Sequence, residues 1–137
     1  PHNMPKYAAS MAEPTKTKQV KSLEKALNNA INDGRFIPYI QLHEFEALLF
    51  SNNNGFEYYF KKEHSIATRS IVDSFVNPEE INSSPQGAPS KRILNINKDY
   101  DKVTEGNLIA LVVGISSILN KCPRFKAWLE NLIVCCS

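Results

Sequence analysis

The sequence predicts a mostly α-helical chain with one or two short strands, and two observations support that prediction. Apolar residues recur at three- and four-residue spacing through most of the 137 residues, as they do on one face of a helix. Only residues 36–42 combine aromatic and β-branched side chains in a short run typical of a strand. Hydrophobic residues make up 42% of the chain and charged residues 22%, which excludes collagen-like and highly charged disordered sequences.

The first predicted helix spans residues 16–33, after an irregular stretch over residues 1–15 in which prolines block helix formation. Gly34 follows it, where a glycine commonly ends a helix. Four lysines of this helix are expected to be solvent-exposed surface groups: Lys16, Lys18, Lys21 and Lys25. The apolar stripe that defines the helix consists of Val20, Leu23, Leu27, Ala30 and Ile31.

Residues 36–42 are predicted to form a strand that is covered on both faces, because both faces are apolar near its centre. Pro38 removes one hydrogen-bond donor, so the strand is expected at a sheet edge or to pair beyond Pro38. A helix, a glycine and a buried strand make half of a βαβ unit, and no second convincing strand follows. The rest of the sheet is therefore expected upstream of residue 1.

Helical spacing resumes after Leu42, with Phe45, Leu48 and Leu49 on one face, and stops at residues 52–55. Residues 82–89 form a predicted loop, Pro89 and Ser90 start the next helix, and Pro123 separates the last two helices. Residues 56–60 are predicted to form a short aromatic turn or helix, and the further predicted helices lie around residues 66–76, 89–96, 105–113, 115–121 and 124–134.

Charge is unevenly distributed along the chain, although the net charge of +2 is too small to predict nucleic-acid binding. Residues 1–35 hold six basic and three acidic residues, a net +3, whereas residues 36–60 hold three acidic and no basic residues, a net −3. An acidic centre beside basic segments suits a cation with phosphates around it. Charge blocks of this size also arise by chance, and that alternative stays open.

Cysteine usage and hydropathy predict a cytoplasmic protein that has no contact with a membrane. The longest apolar run, residues 108–115, is far shorter than the roughly 20 residues that span a bilayer, and no charged-then-apolar leader opens the chain. Cys122, Cys135 and Cys136 form no C-x-x-C pair, and adjacent cysteines rarely bridge each other. Reduced thiols without a zinc site are therefore expected.

His43, Glu44 and Glu46 stand where the predicted strand passes into the next helix, and ligands of open α/β sheets bind beyond the carboxyl ends of strands. On a helix, His43 and Glu46 share a face, whereas Glu44 and Glu46 point to different faces. Because Mg²⁺ prefers carboxylate oxygens, Glu46 is the first candidate for a metal ligand, with His43 and Glu44 beside it. Alternatively, His43 is a helix N-cap and Glu46 reaches back to it from the third helical position.

Ser90, Lys91 and Arg92 form a second candidate site, for phosphate. They open a predicted helix whose free amides favour anions, with two cations beside them. A solvated basic turn is the alternative. The sequence contains no glycine-rich phosphate loop, no metalloprotease motif and no ordered Ser, His and Asp triad, so nucleophilic hydrolysis and P-loop chemistry have no support.

The sequence RFIPYIQLHEFEALLF at residues 35–50 closely resembles the signature of the family of the bacterial domain of unknown function numbered 4276. The resemblance covers nearly the whole chain. Residues 111–113 depart from it, because they are apolar where family members usually carry acidic residues. The shorter matching blocks are residues 77–79, 81–82, 88–92, 100, 102–103, 108–110, 114, 122–125 and 128–129.

The resemblance implies a Toprim-like fold, in which helices cover a parallel sheet and acidic residues at strand ends bind Mg²⁺. Relatives of this type often occur beside ATPases in bacterial phage-defence systems, where the Toprim part is thought to be a nuclease. Their glycine-flanked Glu and Asp-bearing turn are missing here, so the chain resembles the C-terminal part of a longer protein. Residues 1–50 are accordingly assigned to the C-terminal part of a Toprim-like α/β domain and residues 51–137 to a helical extension.

We therefore expect one of two functions. The first is a fragment of a Mg²⁺-dependent Toprim-like nuclease, inactive alone, in which Glu46 positions metal or water, His43 orients it, and Lys91 and Arg92 hold backbone phosphate. The second is a non-catalytic helical module that docks an ATPase partner or DNA, with residues 43–46 only capping a helix. A degraded gene remnant without function is a third interpretation.

Overall fold

The computed structural model describes residues 2–81, 84 and 87–136. Within these residues the chain is mostly helical, which confirms the predicted class. A 3₁₀ turn at Pro78–Glu80 lies between the fifth and sixth α-helices. The described α-helices are α1 (Tyr7–Met11), α2 (Lys16–Ile31), α3 (Glu46–Leu49), α4 (Asn54–Tyr59), α5 (Lys62–Ser74), α6 (Pro89–Ile96), α7 (Glu105–Val113), α8 (Ile115–Lys121) and α9 (Pro123–Cys136).

Residues 36–42 form no strand, and no strand occurs elsewhere in the described part of the chain, so the strand prediction is wrong. Side chains pair with the backbone groups that a sheet would have used. The Ile40 N–H donates to Glu24 Oε1 at 2.9 Å, and Trp128 Nε1–H donates to the Ile37 carbonyl at 3.2 Å. Pro38 has no N–H to satisfy. Two backbone groups of this segment therefore find side-chain partners without a neighbouring strand.

The chain divides into two compact units, and the first comprises residues 1–42 with 127–137. Its longest described helix, α2, confirms the first predicted helix. Thr15 is its N-cap, and the Thr15 Oγ1 accepts the Lys18 N–H at 3.2 Å. Asn32 ends α2 in a left-handed conformation with φ of 50°, so the predicted role of Gly34 as terminator is wrong. The residues that α2 buries are Val20, Leu23 and Ala26.

The α1 helix corrects the prediction that residues 1–15 are irregular. It fits between Pro5 and Pro14, and it buries Ser10, whose hydroxyl is hydrogen-bonded to Ser22 Oγ of α2 at 2.9 Å. A helix of five residues shows too little periodicity to be read from sequence, and it is stable only where tertiary contacts hold it.

The second unit comprises residues 43–126 and contains a large apolar core. Every helix predicted between residues 56 and 121 is present, within a few residues at each end. The loop predicted over residues 82–89 lies partly outside the described residues. The domains predicted as 1–50 and 51–137, with their Toprim-like and helical assignments, stay predictions. The core side chains are Leu48, Leu49, Phe50, Phe56, Phe60, Ile81, Ile93, Tyr100, Ile109, Val113, Ile118 and Cys122.

Close packing of α4 on α7 depends on a glycine. A Cβ atom at Gly55 of α4 would lie 2.6 Å from the carbonyl oxygen of Ile109 and 2.8 Å from its Cγ2. Both distances are shorter than real Cβ contacts, and a backbone carbonyl in a helix cannot move aside as a flexible side chain can. The two helix backbones therefore approach at a position where only glycine fits.

We expect Gly55→Ala to lower the free energy of unfolding by about 1–3 kcal/mol, because the new methyl group overpacks the contact with Ile109. Urea unfolding followed by circular dichroism measures the change. Gly34→Ala is the matched control, because its Cβ would meet nothing within 4 Å. Equal stability of the two variants would show that α4 and α7 separate without cost.

Candidate functional site

Glu46 is the first residue of α3, and its side chain is 0% exposed. Its Oε2 lies 3.0 Å from Nζ of Lys102, whose side chain is 55% exposed. Phe45, not His43, is the N-cap of α3, so the prediction that His43 caps the helix with Glu46 in the third position is wrong. The carboxylate serves as the buried half of an ion pair, and breaking such a pair leaves an uncompensated charge in the interior.

Glu44 connects the two sites that the sequence suggested separately. Its Oε2 accepts the backbone N–H of Ser90 at 2.8 Å, at the second residue of α6. Burial raises the pKa of Glu44, but the hydrogen bonds from Ser90, together with the charges of Lys102 and Lys91, outweigh burial and hold it below its ordinary value of 4.5. The carboxylate therefore satisfies one of the free N-terminal amides of α6, that of Ser90, from 46 residues away in sequence.

The predicted phosphate site at residues 90–92 is partly used by the protein itself. Glu44 takes the Ser90 N–H that was expected to face an anion. Arg92 donates from Nε to the Gly87 carbonyl at 2.8 Å, and its guanidinium lies 5.5 Å from the centre of the Phe75 ring. Lys91 is exposed. Phosphate binding by these three residues stays a prediction. The Nε–H of Arg92 would take no part in it, because it already donates to Gly87.

Tyr100 is a buried phenol that the sequence analysis did not select. We call Glu44, Glu46, Tyr100 and Lys102, which interact electrostatically, the acidic corner. Burial, and next the negative charge of Glu46, raise its pKa above the ordinary value of 10, so the hydroxyl stays protonated near neutral pH. The hydroxyl lies against Gly106, where a Cβ would come within 2.8 Å of it. Among the described residues, neither the Tyr100 hydroxyl nor Glu46 Oε1 has a hydrogen-bond partner. Tyr100 and Lys102 both fall within the family-like blocks of the sequence, and this is the signal that could have identified them.

The residues at this corner do not fit a Mg²⁺ site. No group of three His, Cys, Asp or Glu side chains in the described part of the chain converges so that it could hold a metal ion. Glu46 is closed to solvent and already paired with an ammonium group, whereas Mg²⁺ usually keeps several waters. Glu44 is committed to Ser90, and His43 lies half-buried one residue before it. The metal-binding role of Glu46 therefore gains no support from these side chains.

Glu79 plays at α9 the part that Glu44 plays at α6. The side chain is buried, and its two oxygens accept the backbone N–H groups of Arg124 at 2.9 Å and Phe125 at 3.1 Å. Both helices begin with a proline, which lacks an N–H and leaves the next amides to the carboxylate. A proline at the first helical position is thus the sequence signal, but the acidic partner is far away and was missed.

An apolar groove of about 600 Å³ runs along α7 and α8 in the second unit. Leu111, which is 78% exposed, and Ile115, which is 54% exposed, form part of its lining, and Phe45 forms another part. Within the described ranges of the chain, no charged side chain lines it. The remaining lining residues are Asn107, Ala110, Gly114 and Ile118. We call these seven residues the apolar groove.

The comparisons with known proteins identify a family and nothing finer. The model of the family described as domain of unknown function (DUF4276) matches residues 6–133. No curated protein and no solved structure matches the chain. Across the described residues, every helix is too short or too polar to cross a membrane.

The contribution of Glu44 to stability depends on pH in a defined direction. Because its pKa is lower in the folded state, the carboxylate stabilises the fold above its unfolded pKa, and this stabilisation is lost as pH falls through the folded pKa. We expect Glu44→Gln to cost about 1 kcal/mol at pH 7, a typical value for a helix cap, and progressively less below pH 4. Urea unfolding of both proteins from pH 7 to pH 3 measures the difference.

Only the difference between wild type and variant is informative here, since Asp33, Glu57 and Asp101 also have lowered pKa values and affect both proteins alike. A difference that stays constant, or widens, at acidic pH would contradict the charge-assisted contact with Ser90.

Proposed function

The chain belongs to the family of the domain of unknown function DUF4276, and on that premise we propose that it works as a non-catalytic helical interaction module. The observation that carries this proposal is the apolar groove. Contiguous exposed apolar surface is uncommon on monomeric proteins and is typical of interaction sites. Its volume of about 600 Å³ falls within the range of ligand and anchor-residue pockets.

The acidic corner supports this function through Phe45. Phe45 lies between Glu44, which is hydrogen-bonded to α6, and Glu46, which is paired with Lys102. Both neighbours are therefore fixed, and the Phe45 ring, which is 38% exposed, is held in the groove lining. In this interpretation the two carboxylates position a binding surface and take no part in catalysis.

The chemistry of the groove favours a protein partner over DNA. No lysine or arginine is among the described residues that line it, and nucleic-acid binding depends on cations that neutralise phosphates. An apolar helix face or loop of a partner would bury Leu111 and Ile115, as hydrophobic anchors do at protein interfaces. The family resemblance suggests an ATPase as that partner, and a cytoplasmic complex of the two proteins is part of the proposal.

We expect Leu111→Asp and Ile115→Asp each to weaken binding of the proposed ATPase partner by at least about tenfold, because each variant would place a charge within an apolar contact. Isothermal titration calorimetry measures the affinity. Val76→Asp is the matched control, because Val76 is 88% exposed and lies outside the groove.

Three results would contradict the docking of an ATPase here. The first is that the wild-type chain does not bind the ATPase, and the second is that both groove variants bind it undiminished. The third is self-association of the chain in sedimentation velocity that the groove variants abolish. The last result would identify a second copy of this chain as the occupant.

A second candidate function, part of a Toprim-like nuclease of a bacterial defence system, is favoured by one observation. Glu46 Oε1 and the Tyr100 hydroxyl are buried without hydrogen-bond partners in the part of the chain that the structure describes, and such incompletely satisfied groups are uncommon outside functional sites. Because this corner does not fit Mg²⁺, the catalytic cations of such a nuclease would be held by residues outside this chain. Glu46 would then only position the corner beside them.

We expect the nuclease candidate to show Mg²⁺-dependent cleavage of DNA only in a longer protein that includes the upstream acidic motifs, and Glu46→Gln to slow that cleavage by about tenfold or more. Gel-based cleavage kinetics, with metal titrated, give kcat and KM for both proteins. Glu63→Gln, at an exposed residue of α5, is the matched control. Full activity of the Glu46 variant would remove this residue from the mechanism.

A further inference from the structure

The solvent face of α2 carries three lysines in a row, at a place that the functions above do not use. Lys18, Lys21 and Lys25 are three and four residues apart, so they share one face of the helix and span about 10 Å along its axis. All three are exposed. The same face continues through Asn28 and Asn32, both exposed as well. We call the three lysines the lysine row.

The positive charge of the lysine row is not neutralised locally. None of the ion pairs in the described part of the chain includes Lys18, Lys21 or Lys25. The acidic residue within α2 is Glu24, which lies on the flank of this face, and its Oε1 accepts the Ile40 N–H at 2.9 Å. The row is therefore a compact cationic surface that a polyanion can approach.

A groove of about 420 Å³ adjoins the row within the same compact unit. Glu24, Lys25 and Asn28 form part of its polar lining, and Phe36, Ile37 and Pro38 supply apolar surface. The groove therefore places an aromatic ring and a side-chain amide next to a lysine. An aromatic face stacks on a nucleobase, and an amide both donates and accepts hydrogen bonds at base edges.

We propose that the lysine row and this groove bind single-stranded nucleic acid. Phosphates lie along Lys18, Lys21 and Lys25, and one base enters the groove against Phe36. A single strand fits better than a duplex, because its bases are free to turn out of the stack and reach an aromatic ring. This surface lies in the first unit, shares no residue with the apolar groove, and stands or fails independently of the ATPase interaction.

Fluorescence anisotropy with a labelled oligothymidylate of about 20 nucleotides tests the lysine row. Neutralising three phosphates of a single strand gives a salt slope near −2.1, so we expect affinity to fall about 18-fold between 50 and 200 mM salt. The variant Lys18→Gln/Lys21→Gln/Lys25→Gln should bind at least about tenfold more weakly at 50 mM salt and show a flatter slope.

The matched control removes the same charge elsewhere, as Lys61→Gln/Lys62→Gln/Lys98→Gln at three exposed lysines of the second unit. We expect this control to stay within about threefold of wild type, since none of these three lysines belongs to the lysine row or lines its groove. Circular dichroism confirms that both variants fold, and Lys21→Glu alone provides a milder second test. Equal weakening in both triple variants, or no binding by wild type, would overturn the proposal.

Phe36→Leu tests the base in the groove. Leucine keeps an apolar side chain but cannot stack, so we expect about tenfold weaker binding of oligothymidylate and unchanged binding of inorganic polyphosphate, which has no bases. The wild-type chain should bind a blunt duplex of equal length more weakly than the single strand. Unchanged oligothymidylate binding by the variant, or equally tight binding of the duplex or of phosphatidylserine vesicles, would refute base recognition.

Discussion

The second unit depends on two carboxylates, one half-buried and one buried, that accept backbone N–H groups at the N-termini of α6 and α9. Short helices leave a large share of their amides without intrahelical partners, and the described residues contain no strand to absorb them. Glu44 and Glu79 meet this need from distant positions, with contacts to Ser90 in one case and to Arg124 and Phe125 in the other. Each contact ties two segments about 45 residues apart, so local capping also fixes tertiary structure.

This constraint explains which parts of the fold could be predicted from sequence. Helices α2 and α4 to α8 follow from apolar periodicity and from local stops such as Asn77-Pro78, because both signals lie within one segment. The strand prediction for residues 36–42 was wrong because an aromatic and β-branched composition indicates burial, whereas a strand also needs a neighbouring strand. Hydrogen bonds to the side chains of Glu24 and Trp128 replace strand pairing here. Long-range partners leave no local pattern.

At the candidate site, too, local features could be predicted from sequence and long-range pairings could not. The sequence identified His43, Glu44 and Glu46 as chemically important, and two of these three make charged contacts in the second unit. It could not show that Lys102 would meet Glu46, or that Glu44 would reach Ser90, because 56 and 46 residues separate the partners. Those pairings change the chemistry: a carboxylate that compensates an ammonium group or a helix terminus is not available to a cation.

The acidic and basic segments of the sequence differ in whether their charges have partners within the protein. The acidic centre of the sequence is neutralised internally, because Glu44 is held by Ser90, Glu46 by Lys102 and Glu57 by Arg69. The basic N-terminal segment differs, since its lysine row faces solvent without a carboxylate partner among the described residues. An exposed ion pair contributes little to stability, because ordering a long lysine side chain costs conformational entropy. Lysines at such positions therefore stay unpaired, and their charge is available to an anionic partner. The two charge blocks therefore differ in structural role: the acidic block has partners within the fold, whereas the lysine row of the basic block has no ion-pair partner among the described residues.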